Sequence, residues 1–175
     1  MDATYLNPVL NAIVKVMKMM ANQDVTRGEI LLKNNDLAFG EISSVLMLKG
    51  AEIQGSISVS FPLEVIMKIA EIMLPPDTPR DNAMIKDLTG EMGNMFAGVA
   101  KSEMENNGLK FDISLPTILA GKPHHIKHII KEAAIFVPFY SSVGTFFVEI
   151  CFGKKAKTTQ VIRSELSYRG PSSLT

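Results

Sequence analysis

The chain lacks tryptophan, has one cysteine and has no net charge. Cys151 cannot form an internal disulfide, and the apolar run around it predicts a buried, small hydrophobic side chain. An unpaired thiol is typical of a reducing cytoplasm. Eighteen basic and eighteen acidic side chains cancel, so no overall field attracts nucleic acid or an anionic membrane. We therefore expect neither as a partner.

Long hydrophobic runs and a recognisable leader are also lacking. The longest apolar segment, residues 8–20, is interrupted by Asn11, Lys15 and Lys18 and is too short to cross a bilayer. No basic region precedes an apolar stretch and a small-residue cleavage site, so no secretory signal is expected. These absences predict a cytoplasmic globular protein, and 175 residues suffice for one domain with its own core. Eleven methionines are interpreted as core filler rather than as a binding surface.

Helical and strand-like patterns alternate along the chain. Helices are expected from Pro8, after a cap at Asn7, to about Ala21, and over 63–74 and 82–106. Strands are expected over 30–32, 42–48, 53–61, 111–114, 133–140 and 145–152. Each half of the chain therefore has a helix followed by strands.

A weak internal repeat supports this division. Asn7 lies eighty residues before Asp87 (87 − 7 = 80), and Gly28 lies eighty before Gly108 (108 − 28 = 80). The offset later drifts, which indicates an insertion near 119–131. We predict an α+β fold with a duplicated helix-plus-strands repeat, in which the long helices pack on one face of an antiparallel sheet. One domain would span 1–153, with pseudo-repeats at about 1–80 and 81–153, and 154–175 would form a polar tail.

The most informative segment lies in the predicted third helix. At about 100° per residue, Asp87, Glu91, Asn94 and Gly98 share a narrow arc. Glycines cost roughly 1 kcal/mol each against alanine inside a helix, so their presence needs a reason. Gly90 and Gly98 are interpreted as thinning a docking face around Asn94, with close packing as the alternative. For Gly93, packing against the first helix or the sheet is favoured.

These residues fit a known pattern. Asp87, Glu91 and Asn94, followed by Pro116 twenty-two residues later (116 − 94 = 22), match Asp/Ser-xxx-Glu-xx-Asn with a later proline. The sequence thereby resembles the CheC/CheX/FliY phosphatases of bacterial chemotaxis over roughly 1–153. The corresponding first-helix positions are Asn7, Asn11 and Val14, which lack the Glu-xx-Asn pair. The resemblance is therefore to CheX, with a single site.

The resemblance implies hydrolysis of the phosphoaspartate of a CheY-type response regulator, in chemotaxis or another two-component pathway. Asn94 would orient the attacking water, and Glu91 would form a salt bridge to the regulator's active-site lysine. Asp87 would stabilise the positive end of its helix, and Pro116 would fix the adjacent loop. No cofactor of its own is expected, because the regulator supplies Mg²⁺.

The resemblance also implies a homodimer formed by joining two sheets, to which the apolar strand at 135–139 could contribute. The alternative function is a non-catalytic module of the same fold that binds a regulator or acts in a flagellar switch. The intact Glu91–Asn94 pair favours the phosphatase. His124, His125 and His128 could supply metal ligands, but the lysines among them favour a surface basic patch.

Overall fold

The computed structural model describes residues 3–155, so the predicted tail 154–175 lies outside the described residues except for Lys154 and Lys155. The described part contains three helices and eight strands. They are α1 Ala3–Ala21, β1 Thr26–Arg27, β2 Leu31–Lys33, β3 Ile42–Lys49, β4 Ile53–Phe61, α2 Leu63–Met73, α3 Asn82–Asn106, β5 Asp112–Ile113, β6 Thr117–Ala120, β7 Ala134–Ser141 and β8 Gly144–Lys154. None of these helices has the length and apolarity that crossing a bilayer requires.

The strands form one antiparallel sheet in the order β1-β7-β8-β4-β3-β5, with β2 also beside β7 and β6 beside β3. Alternate residues of β4, namely Ile57, Val59 and Phe61, join the helices in the hydrophobic core. The intervening Ser56, Ser58 and Ser60 point to the other side, which we call the far face. The predicted α+β fold with helices on one side of an antiparallel sheet is confirmed. Its division into two repeats stays a prediction.

The N-termini of α2 and α3 are capped by carboxylates that the sequence patterns did not single out. Glu41 Oε2 accepts a hydrogen bond from the Leu63 amide at 2.8 Å, and this bond, with Lys122 beside it, lowers the pKa of Glu41. Asp81 Oδ1 accepts from the Met84 amide at 2.8 Å. The expectation that Asp87 stabilises the start of α3 is wrong, because Asp87 lies beyond the first turn and Asp81 occupies the capping position.

The first helix begins earlier than predicted. It starts at Ala3 and contains Pro8 in its interior, so Asn7 is not a cap. The ring of Tyr5 packs on Phe111 and Phe152, with centroids 6.2 Å and 5.5 Å away. These tertiary contacts stabilise the added turns, and they outweigh the local start signal that Pro8 provides.

The far face is covered by residues 121–133, a segment that overlaps the insertion predicted at 119–131. Ile126 is buried there. His124 Nε2 lies 2.7 Å from Ser43 Oγ, and His128 Nδ1 lies 2.8 Å from Ser56 Oγ. The interpretation of the histidines as a surface basic patch is therefore wrong for His124 and His128, although His125 is exposed. No group of three or more potential metal ligands occurs in the described part of the chain.

The edges of the sheet also differ from expectation. Residues 135–139 lie in β7, which pairs with β8 on one side and with β1 and β2 on the other. This segment is interior and cannot form the edge of the sheet. The outer edges are formed by β1 and β2 at one end and by β5 and β6 at the other.

Candidate functional site

The third helix presents the predicted polar arc to solvent. Asp87, Glu91, Asn94 and Gly98 are all exposed, whereas the opposite side of α3 is buried against α1 and the sheet. We call these four residues the α3 stripe. A helix amphipathic in this way places an acid and a carboxamide one turn apart on an accessible surface. The predicted arc is therefore present in the structure.

The polar side chains of the stripe are not engaged by the rest of the protein. Within residues 3–155, Asp87, Glu91 and Asn94 have no hydrogen-bond or ion-pair partner through their side chains. Glu103, farther along the same helix, instead pairs with Lys15 of α1. The two stripe carboxylates are therefore uncompensated charges that a basic group on a partner could approach.

The three glycines of α3 have different surroundings. A Cβ built on Gly98 would have no atom within 4 Å, so this position is open. A Cβ on Gly93 would overlap Ser44 Oγ and lie 2.8 Å from Ser44 Cβ, which confirms close packing of the helix on the sheet. Gly90 is buried, and its Cβ would lie 3.5 Å from Ile118. The placement of Gly90 on an open face is wrong, because β6 occupies that side of the helix.

Pro116 lies close to the stripe despite its distance in sequence. Its Cγ would be 3.8 Å from a Cβ at Gly90, and the strand that follows it, β6, pairs with β3. The spacing of the motif therefore corresponds to proximity in space: a Cβ at Gly90 would be in ordinary van der Waals contact with Pro116. The sequence patterns missed β6, because four residues at a sheet edge give little periodicity.

The first helix has no equivalent pair. Asn7, Asn11 and Val14 are exposed on α1, but the Asn11 amide nitrogen lies 3.4 Å from Glu103 Oε2. No carboxylate stands at any of these three positions. The arrangement on α3 is therefore not repeated on α1.

Comparison with known proteins identifies the family of the chain. Residues 42–140 match the family model described as chemotaxis phosphatase CheX. This match spans the α3 stripe and Pro116. The chain belongs to the CheX family.

Individual relatives described as CheC-like or CheX match most of the chain. A CheC-like superfamily protein from Shewanella sp. PV-4 is 35% identical, with 87% of this chain and 99% of that one covered and a TM-score of 0.79. The chemotaxis protein CheX from Vibrio vulnificus is 33% identical, with 86% and 100% covered and a TM-score of 0.78. The CheY-P phosphatase CheX of Thermotoga maritima is 24% identical over 128 residues, which are 73% of this chain and 82% of that protein. The resemblance to the CheC/CheX/FliY group, closest to CheX, is confirmed.

Proposed function

We propose that this chain hydrolyses the phosphoaspartate of a phosphorylated CheY-type response regulator. Water attacks phosphorus, the bond between phosphorus and the aspartyl oxygen breaks, and orthophosphate and the free carboxylate result. An acyl phosphate is already activated, so the enzyme has little covalent chemistry to perform and must chiefly position the water. The regulator supplies the Mg²⁺ that neutralises phosphoryl charge. Membership of the CheX family and the name of the Thermotoga relative support this substrate.

Asn94 is the proposed catalytic residue. It is exposed on α3 and has no hydrogen-bond partner within residues 3–155, so it can enter a regulator's active site without breaking an existing hydrogen bond. Its carboxamide oxygen can accept a hydrogen bond from the water, and its NH₂ group can donate. Because the group is neutral, it does not repel the phosphoryl oxygens as a carboxylate would.

Glu91 is the proposed anchor. It stands one turn before Asn94 on the same stripe and is equally free of partners in the described residues. A salt bridge to the regulator's active-site lysine would fix the register of docking and place Asn94 against the phosphoryl group. Asp87 and Pro116 support this arrangement: Asp87 adds negative charge beside Glu91, and Pro116 packs against the helix at Gly90.

The observation that carries the proposal is the exposed, unpartnered Glu91–Asn94 pair in a CheX-family chain. The test is release of orthophosphate from a phosphorylated, magnesium-loaded CheY-type regulator with and without the protein. Acceleration is the expected result. No acceleration across the CheY-type regulators of the same organism would contradict the proposal and favour the non-catalytic binding module. The proposal places the chain in the cytoplasm, with its regulator.

Substitution of Gly98 tests the docking role of the stripe. Gly98→Ala adds a methyl group to open space in a helix interior, so the free energy of unfolding should rise by about 0.5–1 kcal/mol. The same methyl group stands one turn from Asn94 and should slow phosphate release severalfold. Urea denaturation and the phosphate assay measure the two effects. Ser102→Ala, one turn farther along, is the control. A stabilised Gly98→Ala protein with full activity would show that Gly98 does not serve docking.

We further propose that the protein forms a symmetric homodimer through edge-to-edge pairing of β2. The outer side of this strand is unpaired in the described residues, and Leu31 and Leu32 are 44% and 73% exposed. Light scattering should give the mass of a dimer for the wild type and of a monomer for Leu32→Lys. Leu115→Lys changes an exposed leucine at the opposite edge and should leave the dimer intact. A monomeric wild type would contradict the proposal.

A further inference from the structure

A groove of about 530 Å³ lies beside Glu91, between the end of α2, the connector at 74–81 and the first half of α3. We call it the α2–α3 groove. Its lining is mostly apolar and includes two methionines, and three carboxylates stand around it. The apolar residues are Met73, Leu74, Pro79, Met84 and Leu88, and the carboxylates are those of Asp81, Asp87 and Glu91. An apolar floor with an acidic rim fits an apolar side chain that has a basic neighbour.

The acidic rim is available to such an occupant. Asp87 and Glu91 have no ion-pair partner among residues 3–155. Asp81 accepts a hydrogen bond from the Met84 amide but forms no ion pair in the same residues. Three carboxylates that form no ion pair within residues 3–155 would attract a positively charged surface, and they would repel an acidic one.

The groove and the α3 stripe form one continuous surface, because Asp87 and Glu91 belong to both. Met84 precedes Glu91 by seven residues (91 − 84 = 7), which is roughly 10 Å along a helix axis. A partner that brings a lysine to Glu91 therefore covers the groove as well. This continuity identifies the occupant as the same molecule that docks on the stripe.

We propose that the α2–α3 groove receives an apolar side chain of the phosphorylated response regulator, next to the basic residue that faces Glu91. The proposal rests on the function proposed above and adds a determinant of regulator choice. A regulator with a small residue at that point would bury less apolar surface in the groove. A regulator with an acidic residue there would also be repelled by the carboxylates of the rim. Half-buried methionines suit this task because their flexible side chains adapt to related apolar shapes.

The groove should act on binding rather than on the chemical step. It lies beyond Glu91 on the side away from Asn94, so an occupant does not touch the attacking water. Burial of an apolar side chain in the groove is present in the ground state and in the transition state alike, and losing it raises KM. The regulator's dissociation constant should rise by the same factor.

Met73→Gln tests the proposal. Glutamine keeps the length of methionine but replaces apolar atoms with an amide, and Met73 belongs to α2 rather than to the helix that carries Asn94. We expect the Kd for a beryllofluoride-loaded, magnesium-loaded regulator and the KM for the phosphorylated form each to rise about five- to tenfold. Met67→Gln is the matched control, since Met67 is a half-buried methionine of the same helix that does not line the groove.

The possible outcomes separate this proposal from the one on which it rests. Equal Kd and KM values for the Met73→Gln and Met67→Gln proteins, with an active wild type, would overturn the proposed binding role of the groove. They would leave the proposed phosphatase activity in place. A loss confined to kcat would also overturn it. A wild type that neither binds nor hydrolyses the regulator would overturn both. If Met73→Gln unfolds, Met84→Gln on the opposite wall replaces it, with the same expected rise in Kd and KM.

Discussion

Replacing Asn94 with alanine is expected to lower the rate of phosphate release by about a hundredfold or more while binding of the regulator changes by less than about threefold. The side chain is exposed and forms no hydrogen bond with other described residues, so its removal should leave the helix and core intact. What is lost is the group that holds the water in line with the phosphorus–oxygen bond. Steady-state phosphate release and titration with a beryllofluoride-loaded regulator measure the two quantities.

Two further variants sharpen this test. Asn94→Asp keeps the shape of the side chain but adds a negative charge, which repels the phosphoryl oxygens, so activity should stay low. Asn11→Ala removes an exposed asparagine from α1, where the repeat has no catalytic pair, and should retain full activity. An active Asn94→Ala protein would refute the water-positioning role, even if the wild type proves to be a phosphatase.

The elements that were predicted well are those whose limits depend on local chemistry. The bounds of α3, Asn82–Asn106, and of β4, Ile53–Phe61, agree with the sequence patterns. At α3, a proline-rich connector precedes the helix and Asn107-Gly108 follows it. The exposed stripe was also predictable, because the period of a helix fixes which residues share a face.

The features that were missed depend on residues remote in sequence. Helical periodicity fixes the angle between Gly90 and Asn94 on α3 but does not reveal what packs against Gly90. Its burial follows from the position of β6. Nothing in the local sequence around the histidines of 121–133 predicted their hydrogen bonds to serines of β3 and β4. The α2–α3 groove likewise requires the connector to fold back beside α3. No local pattern encodes such contacts.

The sequence contains one sign of a buried ion pair. Glu149 stands within an apolar strand, and a carboxylate at such a position needs a partner once it is buried. The structure supplies two: Lys33 Nζ lies 2.8 Å from Glu149 Oε1, and His128 Nε2 lies 3.1 Å from Oε2. The acid predicts that basic groups lie nearby, but not which ones, because Lys33 is 116 residues away.

Removing one member of this buried pair is expected to have the largest effect on stability. Lys33 and Glu149 expose only 5% and 1% of their side chains. Lys33→Met would leave the carboxylate buried with His128 as its remaining basic partner, so the free energy of unfolding should fall by about 3–5 kcal/mol. That is a large part of the 5–15 kcal/mol typical of a domain. Urea denaturation measures it as a lower midpoint with an unchanged slope.

The control variant breaks an exposed ion pair instead of a buried one. Lys15→Met breaks the ion pair with Glu103 on the surface, where Lys15 is 58% exposed, and should lower the free energy of unfolding by less than about 1 kcal/mol. The double variant Lys33→Met/Glu149→Met replaces both charges with apolar groups and should recover part of the loss from Lys33→Met, because the buried carboxylate is gone while His128 Nε2 loses Glu149 as its partner. Equal effects of Lys33→Met and Lys15→Met would contradict a buried pair.

The buried pair also connects two separate strands. Lys33 belongs to the edge strand β2 and Glu149 to β8, so the pair reaches across β7 and links the edge strand to the centre of the sheet. Amide exchange in the Lys33→Met protein should therefore accelerate in β2 more than in β4.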